Sequence, residues 1–143
     1  MTLKTIILAL DNSPSDLEVV IHVVTKLQLQ PETRIILSHV VATKNNELDR
    51  EADRPQADVK DIPFLAIEKQ LKLYQEKLSC QTEVEILVGE PSEEIIRLSN
   101  IYSADLIVIG SRGLKGINRI LQASVSSQVV AEASCSVLVV KQR

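Results

Sequence analysis

Aromatic side chains are nearly missing from this 143-residue sequence, which has no tryptophan and only Phe64, Tyr74 and Tyr102. A core must therefore come from Val, Ile and Leu, and there is no set of rings on which nucleobases could stack. Positive charge is not in excess either: 16 Lys and Arg stand against 19 Asp and Glu, a net charge of −3. That balance offers no general attraction for nucleic acid or for an anionic membrane, and neither is expected as a partner. Cysteine is scarce. Cys80 and Cys135 are far apart and form no C-x-x-C pattern, so two reduced structural thiols are expected rather than a disulfide or a metal site. No apolar run approaches the roughly 20 residues that cross a bilayer. The apolar stretch Ile6–Leu10 has no basic segment before it and ends at Asp11, unlike a signal peptide. A cytoplasmic protein of one domain, residues 1–143, is expected, large enough to bury about two thirds of its unfolded surface.

What is present is an alternation of two kinds of apolar segment. Short β-branched runs occur at Thr5–Leu10, Arg34–Val41, Val84–Val88, Leu106–Ile109 and Val137–Val140. Runs such as Ile6-Ile7-Leu8 and Leu106-Ile107-Val108-Ile109 do not alternate with polar residues, which predicts strands covered on both faces. Thr82–Val88 alternates more, as an edge strand does. Between the strands lie helical spacings. Ser13-Pro14-Ser15-Asp16 reads as a helix start with a capping box, followed by Leu17, Val20, Ile21, Val24 and Leu27. Gly89-Glu90-Pro91-Ser92-Glu93-Glu94 reads as another start, with Ile95, Leu98 and Ile101/Tyr102 as its buried face. Ile62–Leu78 is a third helix, with Leu65, Leu71 and Leu78 inward, and a fourth runs from about Ser124 to Ala133. Ala42–Asp61 is polar and without periodicity, and reads as a long solvated connector or a lid. Such strand–helix alternation predicts a parallel sheet with right-handed crossovers and helices on both faces. Ligands then bind beyond the carboxyl ends of the strands, where the winding reverses.

Three of the four glycines fall in Gly110-Ser111-Arg112-Gly113-Leu114-Lys115-Gly116, directly after a predicted strand. Such a loop lets backbone N–H groups approach an anion, and Arg112, Lys115, Ser124 and Ser126 add charge and hydroxyls. A plain surface turn is the alternative. No Gly-Lys-Ser/Thr closes the loop, so it is not a Walker A motif. The dinucleotide fingerprint is absent too, since the first strand is followed by Asp11-Asn12-Ser13-Pro14. Asp11, at that strand's end, is placed to accept a ribose hydroxyl, to hold a divalent cation through water, or to cap or organise its loop. His22 and His39 read as structural, and Ser111 has no base to activate it as a nucleophile.

These blocks resemble the universal stress protein family over essentially the whole chain. The resemblance lies in Ile6–Ser13, Ser38-His39-Val40-Val41, Val88-Gly89-Glu90-Pro91, Ala104–Gly110 and Ser136–Val140, in order. The family's nucleotide-binding members carry Gly-x2-Gly-x9-Gly-[Ser/Thr]. Here Gly110, Gly113 and Ser124 match, and Ala123 stands where the third glycine belongs. The resemblance implies an α/β, Rossmann-like fold: an open five-stranded parallel sheet of order 3-2-1-4-5. It implies ATP or AMP as ligand, with Mg or Mn, with adenine near Val40 and Val41 and ribose near Ala9, Asp11 and Gly89. Phosphates would rest on Gly110, Arg112, Gly113, Ser124, Val125 and Ser126, with Ile109 and Ala123 completing the site. It also implies a homodimer through Val137–Val140.

Three functions compete. One is an ATP-binding sensor or regulator without significant turnover. Another is a dimeric protein-interaction module that has lost the nucleotide, a reading that Ala123 favours. The third, an enzyme of ATP-pyrophosphatase architecture, calls for a Ser-Gly-Gly-x-Asp-Ser loop after the first strand, which is not there. A receiver domain fails as well, because Gly89 stands at the third strand's end where a phosphoacceptor Asp would be.

Overall fold

The computed structural model describes residues 3–14, 16–42, 56–111 and 125–141. In chain order these form β1 (Thr5–Leu10), α1 (Asp16–Lys26), β2 (Arg34–Ala42), α2 (Gln56–Gln75), β3 (Gln81–Gly89), α3 (Pro91–Ile101), β4 (Leu106–Ser111) and β5 (Ser136–Lys141). Residues 125–132 are a further helix, α4, between β4 and β5. The strands make one five-stranded sheet in the order β3-β2-β1-β4-β5, and every neighbouring pair is parallel. This is the fold class and strand order expected from the sequence.

Both faces of the sheet are covered, as the unbroken apolar runs require. Ile6, Leu8 and Leu10 of β1 face a core closed by α1 and α2, through Val19, Val20, Val23, Ile67, Leu71 and Tyr74. Ile7 and Ala9 face the other side, where Ile95 and Leu98 of α3 and Val129 of α4 pack. Every residue of β1 is buried. On β3 no residue is fully buried, in keeping with its place at the edge.

Some helix faces and bounds differ from the sequence expectation. In α1 the buried residues are Asp16, Val19, Val20 and Val23, whereas Leu17, Ile21 and Val24 are part-exposed. The stretch is apolar on both stripes, so hydrophobicity alone does not set the helix's rotation. The Asp16 carboxylate does, because it turns inward to accept backbone N–H groups of the preceding loop. In α2 the inward face is Ile67, Leu71 and Tyr74, spaced by four and three residues, which leaves Leu65 exposed on the opposite side; the helix ends at Gln75, and Leu78 is buried just beyond it. The helix also begins at Gln56, so residues 56–61 are not part of the connector. Pro63 lies inside it, where its missing N–H removes one helical hydrogen bond. Residues 43–55 of the expected connector lie outside the described residues. In α3 Ile95 and Leu98 are buried as expected, Tyr102 packs on the core, and Ile101 is exposed.

The winding direction reverses between β1, whose crossover runs to β2, and β4, which lies on β1's other side. The carboxyl ends of these two strands therefore diverge into a crevice, the place where open α/β sheets bind ligands.

Candidate functional site

A cavity of about 170 Å³ opens at this switch point. β1 contributes Ala9, Leu10 and then Asp11; β2 contributes Ser38, His39 and Val40; β4 contributes Ile109 and Gly110. Asp16 and Val19 of α1, Pro91 and Ile95 of α3, and Val125 of α4 close it. The register explains the grouping, since Ala9 pairs with Ser38 on one side and Ile109 on the other.

The polar wall is built by the turn into α1. Asn12 has φ of +62°, a left-handed conformation that asparagine tolerates better than most residues. This turn points three successive N–H groups at one carboxylate. Asp16 Oδ1 accepts from the Asp11 N–H at 3.0 Å, and Oδ2 from the N–H groups of Asn12 at 2.8 Å and Ser13 at 3.3 Å. The Ser13–Asp16 half of the expected capping box is thus formed, while the Ser13 hydroxyl donates to Asp11 Oδ1 at 2.6 Å. Asp16 is only 3% exposed, and its carboxyl lies in hydrogen-bonding contact with that of Asp11. Burial, followed by that contact and the Asp11 charge, pushes the Asp16 carboxyl up to about 7, against the opposing pull of the Asp11 and Asn12 N–H groups. The Asp11 carboxylate thus opposes ionisation of Asp16.

His39 Nδ1 lies 2.9 Å from the Leu10 carbonyl oxygen, which can only accept. The ring must therefore donate from Nδ1, and Nε2 is the acceptor when the ring is neutral. Burial lowers the His39 pKa, which favours that neutral state. Ser38, fully buried, donates its hydroxyl to the Leu8 carbonyl at 2.8 Å and ties β2 to β1 beneath the cavity. The β1–β2 side of the cavity is therefore rich in acceptors. Ala9, Val40, Ile95, Ile109 and Val125 supply apolar walls. Such a site suits a flat ring between aliphatic side chains with hydroxyl or amino groups turned to the acidic wall.

Of the residues expected at a ligand site, Ala9, Asp11, Val40, Ile109, Gly110 and Val125 come together here. Val41 packs its side chain on the opposite, α1–α2 face of the sheet. Gly89 ends β3 beyond the cavity lining, and Ser126 is buried in α4 outside it. Arg112, Gly113, Ala123 and Ser124 lie outside the described residues. Asp16 and His39 were not expected at the site: Asp16 reads in sequence as a cap, and a strand histidine reads as structural. Their position in the Ser13-x-x-Asp16 turn and beside Val40 is the signal that could have found them. Among the described residues no group of three or more His, Cys, Asp or Glu side chains is placed to hold a metal ion. None of the described helices is long and apolar enough to cross a membrane.

Comparison with known proteins gives a consistent picture. The family model described as "Universal stress protein family" matches residues 2–141. Universal stress protein MJ0531 of Methanocaldococcus jannaschii is 40% identical over 74 residues, which are 52% of this chain and 44% of that protein. The aligned stretch thus spans less than half of this curated relative's length. Among solved structures, that of the hypothetical protein MJ0577, a M. jannaschii universal stress protein, superimposes with a TM-score of 0.83 at 24% identity. The match covers 100% of this chain and 99% of that one. An Arabidopsis thaliana universal stress protein family protein solved with AMP bound matches with a TM-score of 0.66 at 22% identity, over 98% and 92% of the two chains. The likeness to both structures is one of fold, and the family assignment stands on the match over residues 2–141. The chain belongs to the universal stress protein family.

Proposed function

We propose that this chain binds an adenine nucleotide in the switch-point cavity and acts in the cytoplasm as a dimeric stress-response sensor or regulator, not as a metabolic enzyme. The observation that carries this reading is the pairing of an aliphatic slot, formed by Ala9, Val40, Ile109 and Val125, with the acceptor wall of Asp11, Asp16 and His39. Adenine fits the slot near the end of β2, and ribose hydroxyls fit the acidic wall. The phosphates then extend along Gly110 toward the segment that carries Arg112, Gly113 and Ser124. The Arabidopsis relative solved with AMP supports the same ligand class. ATP is the expected physiological form. Because the described residues offer no metal cluster, an accompanying Mg or Mn would be held chiefly by phosphate oxygens.

The alternative is a dimeric interaction module without nucleotide, and Ala123 in place of the motif's third glycine is what favours it. Two measurements separate the readings. Freshly purified protein is denatured and its supernatant chromatographed for adenine nucleotides, and ATP is titrated into wild type and Ala123→Gly with magnesium present. Binding by wild type, modestly tightened by the glycine, supports the sensor. Binding by the variant alone supports the interaction module. Absence of binding in both rejects the nucleotide for this chain.

A further inference from the structure

We propose that Asp16 makes nucleotide binding proton-coupled: the bound state retains a proton on the Asp11–Asp16 carboxyl pair, so affinity falls as pH rises. This rests on the adenine-nucleotide reading of the cavity and adds its regulation.

Geometry is the basis. Both residues line the same cavity, the Asp16 carboxyl is in hydrogen-bonding contact with that of Asp11, and the Asp11 N–H holds Asp16 Oδ1 at 3.0 Å. Asp16 is nearly inaccessible to solvent, and its Oδ2 is already committed to the N–H groups of Asn12 and Ser13. The Asp16 carboxyl cannot swing away without breaking the turn that starts α1. The other titratable groups facing it are His39 from β2 and Tyr74 from α2. Burial holds His39 toward its neutral form and raises the Tyr74 phenol, so neither supplies a positive charge near pH 7. Among the described residues lining the cavity there is no lysine or arginine.

A nucleotide whose ribose lies on the acidic wall carries its phosphate charge along Gly110, on the same cavity as the two carboxyls. The repulsion is least when the pair keeps one proton, which sits between the two carboxyl groups and needs no other donor. Binding then raises the pair's proton affinity, and by linkage a proton raises the ligand's affinity by the same factor. The protonated form is already accessible near neutrality, because burial and the neighbouring carboxyl raise Asp16. One coupled proton limits the effect to about tenfold in affinity per pH unit.

The test titrates AMP into the full chain by calorimetry from pH 5.5 to 8.5, for wild type and Asp16→Asn. The asparagine keeps an oxygen for the Asn12 and Ser13 N–H groups, gives up the acceptor for the Asp11 N–H, and cannot titrate. The AMP phosphate itself titrates near pH 6, so the difference between the two proteins is what is read. Wild-type affinity is expected to fall about tenfold between pH 6.5 and 8 beyond any change in the variant, with net proton uptake in buffers of different ionisation enthalpy. Equal pH slopes in both proteins would overturn the proton coupling and leave the nucleotide site standing. No binding of AMP at any pH would overturn the nucleotide reading and this proposal together. Should the variant not fold, carboxyl carbon NMR of wild type decides. The apparent pKa of the pair should rise when AMP is added, and an unchanged titration would overturn the proposal.

Discussion

Ser92 lies in the first turn of α3 with its residue fully buried, and among the described residues its hydroxyl has no hydrogen-bond partner. Burying an unsatisfied hydroxyl costs about 1–3 kcal/mol, and truncating the side chain to a methyl removes that cost while leaving only a small void. Ser92→Ala is therefore expected to stabilise the fold by about 1 kcal/mol, read as a higher denaturant midpoint with unchanged slope. Tyr102 is the opposite case. Its hydroxyl lies 3.0 Å from Glu83 Oε1 and 2.7 Å from Glu85 Oε2, and these acids push the phenol above its usual range. Arg34 completes the group, 3.2 Å from Glu83 and 5.1 Å over the Tyr102 ring. Tyr102→Phe keeps the ring under the guanidinium and deletes only the donor, so it isolates the hydroxyl's role. A loss of about 1 kcal/mol is expected, and a loss under half of that would mean water replaces the bond without cost. Asp16 carries a third prediction, on stability in the absence of ligand. Its native pKa is raised from 3.8 to about 7, so between those values the native state holds more protons than the unfolded one. Stability should then fall as pH rises through that window, and Asp16→Asn should flatten the fall. His39, lowered by burial, acts with the reverse sign: stability is lost as pH drops below its unfolded value. Denaturant midpoints from pH 4 to 8 in both proteins separate the two contributions.

Gly89 is the point where strand geometry gives way to the entry of α3. Its φ is +155°, and an added Cβ would stand 2.9 Å from Glu94 Cγ. Glu94 is not free to withdraw, because its Oε1 is bonded to Arg97 Nη2 at 2.6 Å. Gly89→Ala should cost about 1–3 kcal/mol. Adding Glu94→Ala should recover only part of that, since it relieves the contact and not the backbone angle; full recovery would show that crowding alone required glycine. Much of this element-level detail was legible beforehand. Pro91 after Gly89-Glu90 marked the start of α3, and unbroken runs such as Leu106–Ile109 marked strands covered on both sides. The rotation of α1 was not legible, because Leu17, Ile21 and Val24 form as apolar a stripe as the buried Val19, Val20 and Val23. The bonds of Asp16 to the turn just before it decide between the stripes. The same bonds hid Asp16 as a site residue: a first-turn acid looks alike in sequence whether it caps a helix, lines a cavity, or does both. The strand ends at Asp11, Val40 and Gly110 were legible as a site because topology alone sends them to the crevice.

At the scale of the molecule, the sheet has two edges that differ in chemistry. β3 closes one edge, and it carries Glu83 and Glu85, part of the Tyr102–Arg34 group. Charged side chains on an edge strand disfavour pairing with another chain, particularly an identical one that brings the same charges. β5 closes the other edge with Val137, Leu138, Val139 and Val140 in succession, bounded by Ser136 and Lys141. Val137, Leu138 and Val139 remain only partly buried in the single chain, and among the described residues the strand pairs with β4 alone. Twofold symmetry is the commonest arrangement of soluble oligomers, and across β5 it would place two identical strands antiparallel. Each would then fill the other's open N–H and C=O positions, cover apolar side chains and join the two sheets. Light scattering or sedimentation at micromolar concentration is expected to give twice the chain mass. Val139→Pro removes an N–H and disfavours strand pairing, so it should shift the protein to monomer while circular dichroism stays native. Glu83→Gln and Glu85→Gln, on the other edge, should leave the dimer unchanged. A wild-type monomer under these conditions, or a dimer that persists in folded Val139→Pro, would show that β5 is not the assembly edge.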